Sequence, residues 1–302
     1  SSAGNRRTFT FSAWVKGVEA TNATLFSGGT GSGNDTFNLR IDDGQISQNS
    51  GSTALRSTTA RFRDFSAWYH IVLAVDTTQS TDTNRLKLYV NGTLITSYST
   101  SNIPSQNTEL GINQDELHTI GRRANSADRY MNGYMAEVNF VDGSQEAPES
   151  FGETKNGIWI AKSPSVTYGT NGFRLQFKNT GTGTASASTI GADTSGNTHH
   201  FTSNNLAVSD SNMPDSPENN FATWNVNDLN HRAELVEGNL KLQATTYSTS
   251  GAGGGNFGFA TGTISLPSSG KFYVEALHRK HAGTGNISSL GVMNRNQADT
   301  TG

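Results

Sequence analysis

A nine-residue segment carries most of the side chains in this sequence that could recognise a sugar. It spans residues 122–130 and reads RRANSADRY between two strand-like segments. Sugar recognition needs polar groups arranged around an aromatic plane, and loops held by a rigid scaffold often carry binding residues. The sequence therefore predicts a glycan- or partner-binding loop, although an ordinary solvated loop stays open as the alternative. The candidate residues are Arg122, Arg123, Asn125, Asp128, Arg129 and Tyr130.

A second short segment, DTSGN at residues 193–197, carries the best candidates for metal ligands. Calcium prefers oxygen ligands such as carboxylates and amide carbonyls, so Asp193 and Asn197 are the residues we predict for a Ca²⁺ site. Asp and Asn also close turns without any metal, and no dense carboxylate cluster accompanies them. Turn closure is therefore the competing interpretation, and no other cofactor is predicted.

No arrangement of residues predicts catalysis. Glycoside hydrolysis needs two carboxylates that flank one bond, but Asp115 and Glu116 are adjacent and would point to opposite faces of a strand, while Glu137 stands alone. The glycine-rich runs at 28–33 and 251–258 lack the Lys-Ser/Thr of a phosphate-binding loop. No Gly-x-Ser-x-Gly nucleophile motif occurs in a strand-turn-helix context. We therefore predict a protein that is not an enzyme.

The composition favours an all-β protein. Only 33% of the 302 residues are hydrophobic and 33 are glycine, which is typical of short strands joined by many turns. Cysteine is absent, so disulfides and thiolate metal sites are excluded, as expected for assembly in a reducing cytoplasm. The net charge of −3 argues against nucleic acid as a partner. No run of about 18 apolar residues predicts a membrane span.

A β-branched and aromatic run predicts a strand buried on both faces at 68–75, alternating residues predict a strand at 85–90, and a third strand is predicted at 93–96. Asn91 and Gly92 tolerate the positive φ of a two-residue hairpin turn, so these three segments should form an antiparallel meander. In residues 134–141 the alternation predicts one apolar face. That face would comprise Tyr134, Ala136, Val138 and Phe140. Further strands are predicted at 9–15, 25–27, 36–41, 45–47, 116–121, 131–141 and 173–177.

Several blocks along the first two thirds of the chain resemble the laminin-G/concanavalin-A-like jelly-roll superfamily, in the form found in virion proteins of marine bacteriophages. The blocks are FTFSAWVK (9–16), AWYHIVLAVDTT with LKLYVNG (67–92), HTIGRR (118–123), YMNGYMAEVNFVDG (130–143), SFGET (150–154) and YGTNGFRLQF (168–177). The resemblance implies an antiparallel β-sandwich over residues 1–179. It also implies a structural protein of the virion, such as a tail fibre, an appendage or a capsid-attached fibre, assembled in the host cytoplasm.

The partners that this resemblance implies are other virion proteins, further copies of the chain in a homo-oligomer such as a trimer, and a host-surface polysaccharide. A secreted or cell-surface polysaccharide-binding module or depolymerase is the alternative function. An apolar export segment would have favoured that alternative, and the first residues contain none.

The rest of the chain divides into two predicted parts. Residues 180–218 are rich in Gly, Ser, Thr and Asn, and we expect an ordered linker or strap that lies over the first domain. Residues 219–302 resemble the opening of a SPRY-like β-sandwich, through EGNLKLQ (237–243) and GTISLPSSGKFYVEALH (262–278). We therefore predict a second, incomplete sandwich after the jelly roll.

Overall fold

The computed structural model describes most of the first two thirds of the chain and parts of the remainder. The described residues are 2–17, 22–31, 36–64, 67–208, 215–225, 228–229, 233–236, 239–244, 258–266, 269–277 and 290–292. Much of the segment predicted to be SPRY-like lies outside these residues, and that prediction stays untested.

Short antiparallel strands make up the described fold. The first half contains β1 (Thr8–Lys16), β2 (Ala23–Gly28), β3 (Phe37–Asp42), β4 (Gln45–Ser50), β5 (Thr53–Thr58), β6 (Trp68–Asp76), β7 (Leu86–Val90), β8 (Thr93–Leu94) and β9 (Tyr98–Ser101). The second half contains β10 (His118–Ile120), β11 (Tyr134–Asp142), β12 (Gly152–Lys155), β13 (Ile158–Ala161), β14 (Phe173–Leu175), β15 (Ala233–Val236) and β16 (Lys241–Ala244). Two short 3₁₀ turns, at Asp82–Asn84 and Pro148–Ser150, lie between them. None of the described residues forms a helix that is long and apolar enough to cross a membrane.

Two six-stranded sheets face each other and form a β-sandwich. Sheet A has the order β14-β11-β1-β6-β7-β8, and sheet B has the order β10-β2-β3-β4-β5-β9. All of their pairings are antiparallel. Two small hairpins, β12–β13 and β15–β16, lie outside the two sheets. The predicted all-β, jelly-roll fold class is confirmed.

The central meander forms as the sequence predicts. β6 pairs with β7, and β7 pairs with β8 with Val90 opposite Thr93. The turn residues Asn91 and Gly92 have φ values of 49° and 76°. Both values lie in the left-handed region, which a type I′ turn requires at its two central positions and which Asn and Gly adopt at low cost.

Aromatic side chains dominate the core between the sheets. Phe11 of sheet A stacks on Phe26 of sheet B with ring centroids 4.8 Å apart, and Phe140 packs against the same ring at 5.5 Å. The members of this core include Phe9, Leu25, Phe37, Leu39, Ile71, Leu73, Leu88, Val138 and Phe173, all of them buried. Alternate residues of each strand point inwards, which leaves the polar residues between them on the outer faces.

A bulge in β11 overturns one of the predicted faces. The register between β1 and β11 shifts between Ser12 and Trp14, and Glu137 adopts φ +47° at that point. Beyond the shift, Met135 lies opposite Val15 and packs against the core. The prediction that Tyr134 and Ala136 share a face with Val138 and Phe140 is therefore wrong, because a bulge inserts one residue and reverses the alternation. Strand β5 was also missed by the sequence pattern, since TALRST has no clear alternation of apolar and polar residues.

The outer face of sheet A is covered by later parts of the chain. Val72 and Val141 pack there against Phe151, and Tyr168 lies over the same group. The β12–β13 hairpin places Trp159 next to His70, with ring centroids 5.9 Å apart. Residues 193–201 lie along the edge of β14, where Leu175 bridges to Asp193, and Phe201 packs against Phe173 of the core with ring centroids 4.8 Å apart. Sheet A is therefore packed on both faces.

Candidate functional site

A polar cavity of about 210 Å³ lies on the outer face of sheet B. It is formed by β3 with the residue before it, by β4, by the turn between β4 and β5, and by the loop at residues 122–130. Its lining residues are Thr36, Asn38, Arg40, Asn49, Gly51, Ser52, Arg123, Asn125 and Arg129. Apolar side chains are absent from this lining, and so are carboxylates. The cavity is therefore suited to a hydrogen-bonding ligand, and arginine is its only charged residue type.

Strand alternation places the first part of the lining. In β3 the residues Phe37, Leu39 and Ile41 point into the core, so Asn38 and Arg40 must point outwards. Asn49 of β4 lies directly opposite Asn38 in the antiparallel register and shares the same face. Ser27 of β2 donates a hydrogen bond to Asn38 Oδ1 at 2.9 Å, which fixes that amide at the edge of the cavity.

The loop predicted from the sequence supplies Arg123, Asn125 and Arg129. It follows β10 and folds back over β2, where the backbone N–H of Ala124 donates to Ser27 Oγ at 3.1 Å. The backbone N–H of Thr24 donates to the carbonyl of Arg129 at 3.0 Å. Arg129 has φ +54°, a left-handed conformation that turns the chain where the loop returns towards β11. These contacts hold the loop against sheet B and bring its arginines to Arg40.

The charges around the cavity do not cancel. Arg123 forms a bidentate pair with Asp128, with Nε to Oδ1 at 2.8 Å and the second nitrogen to Oδ2 at 2.5 Å. The guanidinium nitrogen Nη2 of Arg40 lies 3.3 Å from Asp42 Oδ2. Arg129 has no carboxylate partner among the residues that the structure describes. Three guanidinium groups therefore face two carboxylates, and the local excess is one positive charge.

The pKa of Arg40 reflects the burial and the charges around the cavity. Burial lowers the pKa of its guanidinium, and the positive charge of Arg129 lowers it further. Asp42 opposes these effects, while Arg123 adds to them. In addition, Arg40 Nε and Asn49 Oδ1 are buried without a hydrogen-bond partner. Buried polar atoms in folded proteins almost always have a partner from the protein, water or a ligand, so one donor and one acceptor are available here.

The structure divides the six predicted loop residues into two groups. Arg123, Asn125 and Arg129 line the cavity, and Asp128 orients Arg123 from outside it. Arg122 instead donates to the backbone carbonyl of Arg123 at 3.2 Å, which is a contact within the loop. Tyr130 is 56% exposed and does not line the cavity. The sequence reasoning missed Thr36, Asn38, Arg40 and Asn49, because polar residues on one face of a strand usually only mark a solvated face.

Asp193 and Asn197, the predicted calcium ligands, hold the chain in place around β14. The Asp193 carboxylate accepts hydrogen bonds from the backbone N–H groups of Arg174, Ser195 and His199 at 2.8–2.9 Å, and from Ser195 Oγ at 2.9 Å. Asn197 Nδ2 donates to the carbonyls of Gly169 and Gly172. The described residues contain no group of three or more His, Cys, Asp or Glu that could hold a metal. These contacts explain both residue types without Ca²⁺, and the metal site stays a prediction.

A buried Ser–His pair has the wrong proton arrangement for catalysis. Ser12 Oγ lies 2.9 Å from His70 Nε2, and Trp159 Nε1 donates to His70 Nδ1 at 3.0 Å. An indole N–H can only donate, so Nδ1 accepts and the proton of the neutral ring is on Nε2, facing Ser12. His70 therefore donates to the serine and cannot take its proton as a general base. Both residues are fully buried, which makes this pair structural.

Comparison with known families agrees with the fold. A family model described as the concanavalin A-like lectin/glucanases superfamily matches residues 2–149, just under half of the chain. The β-sandwich therefore has the concanavalin A-like lectin/glucanase fold. No curated protein matches the chain.

The solved structures that resemble this chain share little of its sequence. The carbohydrate-binding module CBM40 of the Ruminococcus gnavus IT-sialidase, bound to alpha2,3 sialyllactose, is 18% identical over 47% of this chain and 78% of its own, with a TM-score of 0.34. Domain 4 of the extracellular arabinanase AbnA from Geobacillus stearothermophilus, in complex with arabinotriose, is 21% identical over 48% of this chain and 64% of its own, with a TM-score of 0.35. A pentraxin from Limulus polyphemus is 15% identical over 49% and 68%, with a TM-score of 0.33. Similarity at this level carries no argument about a ligand.

Proposed function

We propose that this protein is a non-catalytic binding protein that holds acidic carbohydrate in the cavity formed by β3, β4 and the loop at residues 122–130. The observation that carries this proposal is the cluster of Arg40, Arg123 and Arg129 around a cavity lined otherwise by amide, hydroxyl and backbone groups. Sugars present hydroxyl groups that need both donors and acceptors, and asparagine and threonine side chains offer both.

The excess positive charge favours a sugar that carries an anion. Arginine binds carboxylate and sulfate groups through a planar fork of N–H donors. Arg129 has its charge uncompensated by any carboxylate in the described part of the chain, so it is the residue that we expect to contact the anion. The cavity volume of about 210 Å³ lies below the roughly 300–1,000 Å³ of sites that enclose drug-sized ligands. One sugar unit, or the end of a chain, is therefore the part that we expect to be held.

The lining also favours binding over hydrolysis. Glycosidases place two carboxyl groups about 5–9.5 Å apart across the scissile bond, whereas none of the residues that line this cavity is Asp or Glu. A ligand in the cavity would meet only donors and neutral acceptors. This supports a non-enzymatic function for the site.

For the biological setting, we propose a structural protein of a bacteriophage virion that meets the host surface through sheet B. The sequence blocks described above support this setting. A secreted or cell-surface polysaccharide-binding module would use the same cavity, so the two settings differ in the assembly and not in the chemistry of the site. A light-scattering mass of the purified chain tests the assembly: we expect a homo-oligomer such as a trimer, and a monomer at all concentrations would contradict the fibre interpretation.

Binding is tested first on an array of acidic and neutral bacterial polysaccharides, and then by calorimetry. For each acidic ligand found, an oligosaccharide and its carboxyl-reduced counterpart are titrated into the wild-type chain and into Arg129→Gln. Because a hydrogen bond to a charged group contributes about 1.5–3 kcal/mol, we expect Arg129→Gln to weaken binding roughly 10- to 100-fold.

The control is Arg63→Gln, which removes one charge from an exposed arginine paired with Asp43, in the turn after β3 and outside the cavity lining. Arg63→Gln should leave the affinity unchanged. Equal binding of the acidic and the reduced sugar would refute the anionic ligand, and unchanged affinity in Arg129→Gln would refute the cavity as the site.

A further inference from the structure

A buried lysine on the outer face of sheet A lies against two side chains from a distant part of the sequence. Lys16 is the last residue of β1, and its Nζ lies 2.6 Å from Asp215 Oδ2 and 2.6 Å from Asn220 Oδ1. The side chains of Lys16 and Asp215 both have 0% exposure. Burying an ion pair in this way is seldom a net gain in stability, so the arrangement calls for another explanation.

The carboxylate of Asp215 is held in a fixed orientation. Its Oδ1 accepts a hydrogen bond from Trp68 Nε1 at 3.0 Å and one from the backbone N–H of Phe221 at 3.2 Å. Its Oδ2 is thereby left directed at Lys16 Nζ. The amine of Lys16 therefore contacts both the carboxyl group of Asp215 and the carboxamide of Asn220, at a place outside the proposed sugar site.

We propose that Lys16 and Asn220 form an intramolecular isopeptide bond, with Asp215 as the proton carrier. In this reaction Nζ first gives one proton to Asp215 and then attacks Asn220 Cγ with its free lone pair; the Nζ–Cγ bond forms and the Cγ–Nδ2 bond breaks. Asp215 takes protons from Nζ and passes them to the leaving nitrogen. The lysine ammonium and the asparagine amide become one secondary amide and one ammonium ion, so no oxidant, reductant or other reactant is required.

The environment of Lys16 supports each step. The Lys16 and Asp215 side chains are both fully buried and in direct contact, so a proton can pass between them without leaving the site. Nζ lies 2.6 Å from the oxygen of the carboxamide whose carbon it would attack, so the reaction replaces a bimolecular encounter with an intramolecular one. Asn220 as a residue is exposed, which gives the released ammonia a route to solvent.

The bond would join two parts of the chain that are 204 residues apart. A covalent link of this kind limits the unfolded chain in the same way as a disulfide. This protein has no cysteine, so an isopeptide bond would provide a link that a reducing environment cannot break. It would fix residues 215–221 to the outer face of sheet A permanently.

Intact-mass spectrometry of the folded chain tests the proposal. We expect a mass lower than the sequence mass by one ammonia, about 17 Da, and a branched tryptic peptide that contains both Lys16 and Asn220. Lys16→Met and Asn220→Ala should each restore the full sequence mass and abolish the branched peptide. The matched control Asn219→Ala should keep the loss, because Asn219 contacts Ser216 through its backbone.

Three results would overturn the proposal. The first is a folded wild-type chain that keeps its full sequence mass after prolonged incubation. The second is a loss of ammonia that persists in Lys16→Met, which would indicate a succinimide at an asparagine. The third is a branched peptide joined through Asp215 with loss of water. If Lys16→Met does not fold by circular dichroism, Asn220→Ala decides the question, because it keeps the Lys16–Asp215 pair.

Discussion

His70 makes the stability of this protein sensitive to mild acid. Its imidazole ring is fully buried between Trp14, at a centroid distance of 4.8 Å, and Trp159. A proton added to Nδ1 would break the hydrogen bond from Trp159 and place a charge in this aromatic layer. Burial accordingly lowers the pKa of His70 from 6.5 to about 3.

The size of the effect follows from this shift in pKa. Below pH 6.5 the unfolded chain binds a proton at His70 that the folded chain does not bind, so stability falls as the pH falls from about 6.5 to about 3. Each pH unit in this window costs about 1.4 kcal/mol. At pH 5, which lies 1.5 units below the ordinary value of 6.5, the loss is about 2 kcal/mol.

Urea unfolding at pH 7 and pH 5 measures this loss. The variant His70→Gln cannot titrate, but its amide can still accept from Trp159 and donate to Ser12. We expect the wild type to lose about 2 kcal/mol more than His70→Gln between the two pH values, while other titrating groups cancel in the comparison. Equal losses in both proteins would refute the reasoning. If the variant does not fold, the ¹⁵N shifts of the wild-type ring should be the same at pH 7 and pH 5.

Two further substitutions test the packing around β14 and around the cavity. Asp193→Ala removes the acceptor of four hydrogen bonds, so we expect urea unfolding to show a loss of about 3 kcal/mol and limited proteolysis to cut sooner between residues 194 and 208. Unchanged cleavage would show that Asp193 does not anchor this segment. Gly111→Ala would place a Cβ 2.5 Å from the backbone of Thr36, so we expect a loss of about 1–3 kcal/mol and weaker ligand binding, because Thr36 lines the cavity. Normal stability would show that the backbone can move aside.

The parts of the fold that could be predicted from the sequence depend on local rules. The β-branched and aromatic run in β6, the alternation in β7 and the dipeptide Asn91-Gly92 together predicted three strands and the turn between two of them, because the turn geometry limits which residues can occupy it. The bulge at Glu137 was not predictable in the same way. It arises where β11 pairs with β1, and no residue type in β11 signals that partner.

Only the loop that contributes to the candidate site could be predicted from the sequence, because the strand residues join the site through tertiary pairing. Residues 122–130 have the composition of a binding loop, but Arg40 and Asn49 look like ordinary outward-facing residues until β3 and β4 meet that loop. The burial of Lys16 is even harder to predict from the sequence. In the sequence it ends an amphipathic strand and should be solvated, whereas its partner Asp215 lies 199 residues away. Only the tertiary fold reveals that this lysine is buried.

Later parts of the chain pack over the outer face of sheet A, whereas the outer face of sheet B carries a polar cavity. This difference favours sheet B as the binding surface. Trp159 and Phe151 cover the middle of sheet A, and residues 215–221 close over Lys16 at the end of β1. An isopeptide bond at Lys16 would make part of that covering permanent. The loop at 122–130 lies against the outer face of sheet B and contributes two arginines to the cavity there. A ligand that approaches the outer face of sheet B meets Arg40, Arg123 and Arg129 around an open cavity, so we expect Arg129→Gln to lose binding with no change in stability.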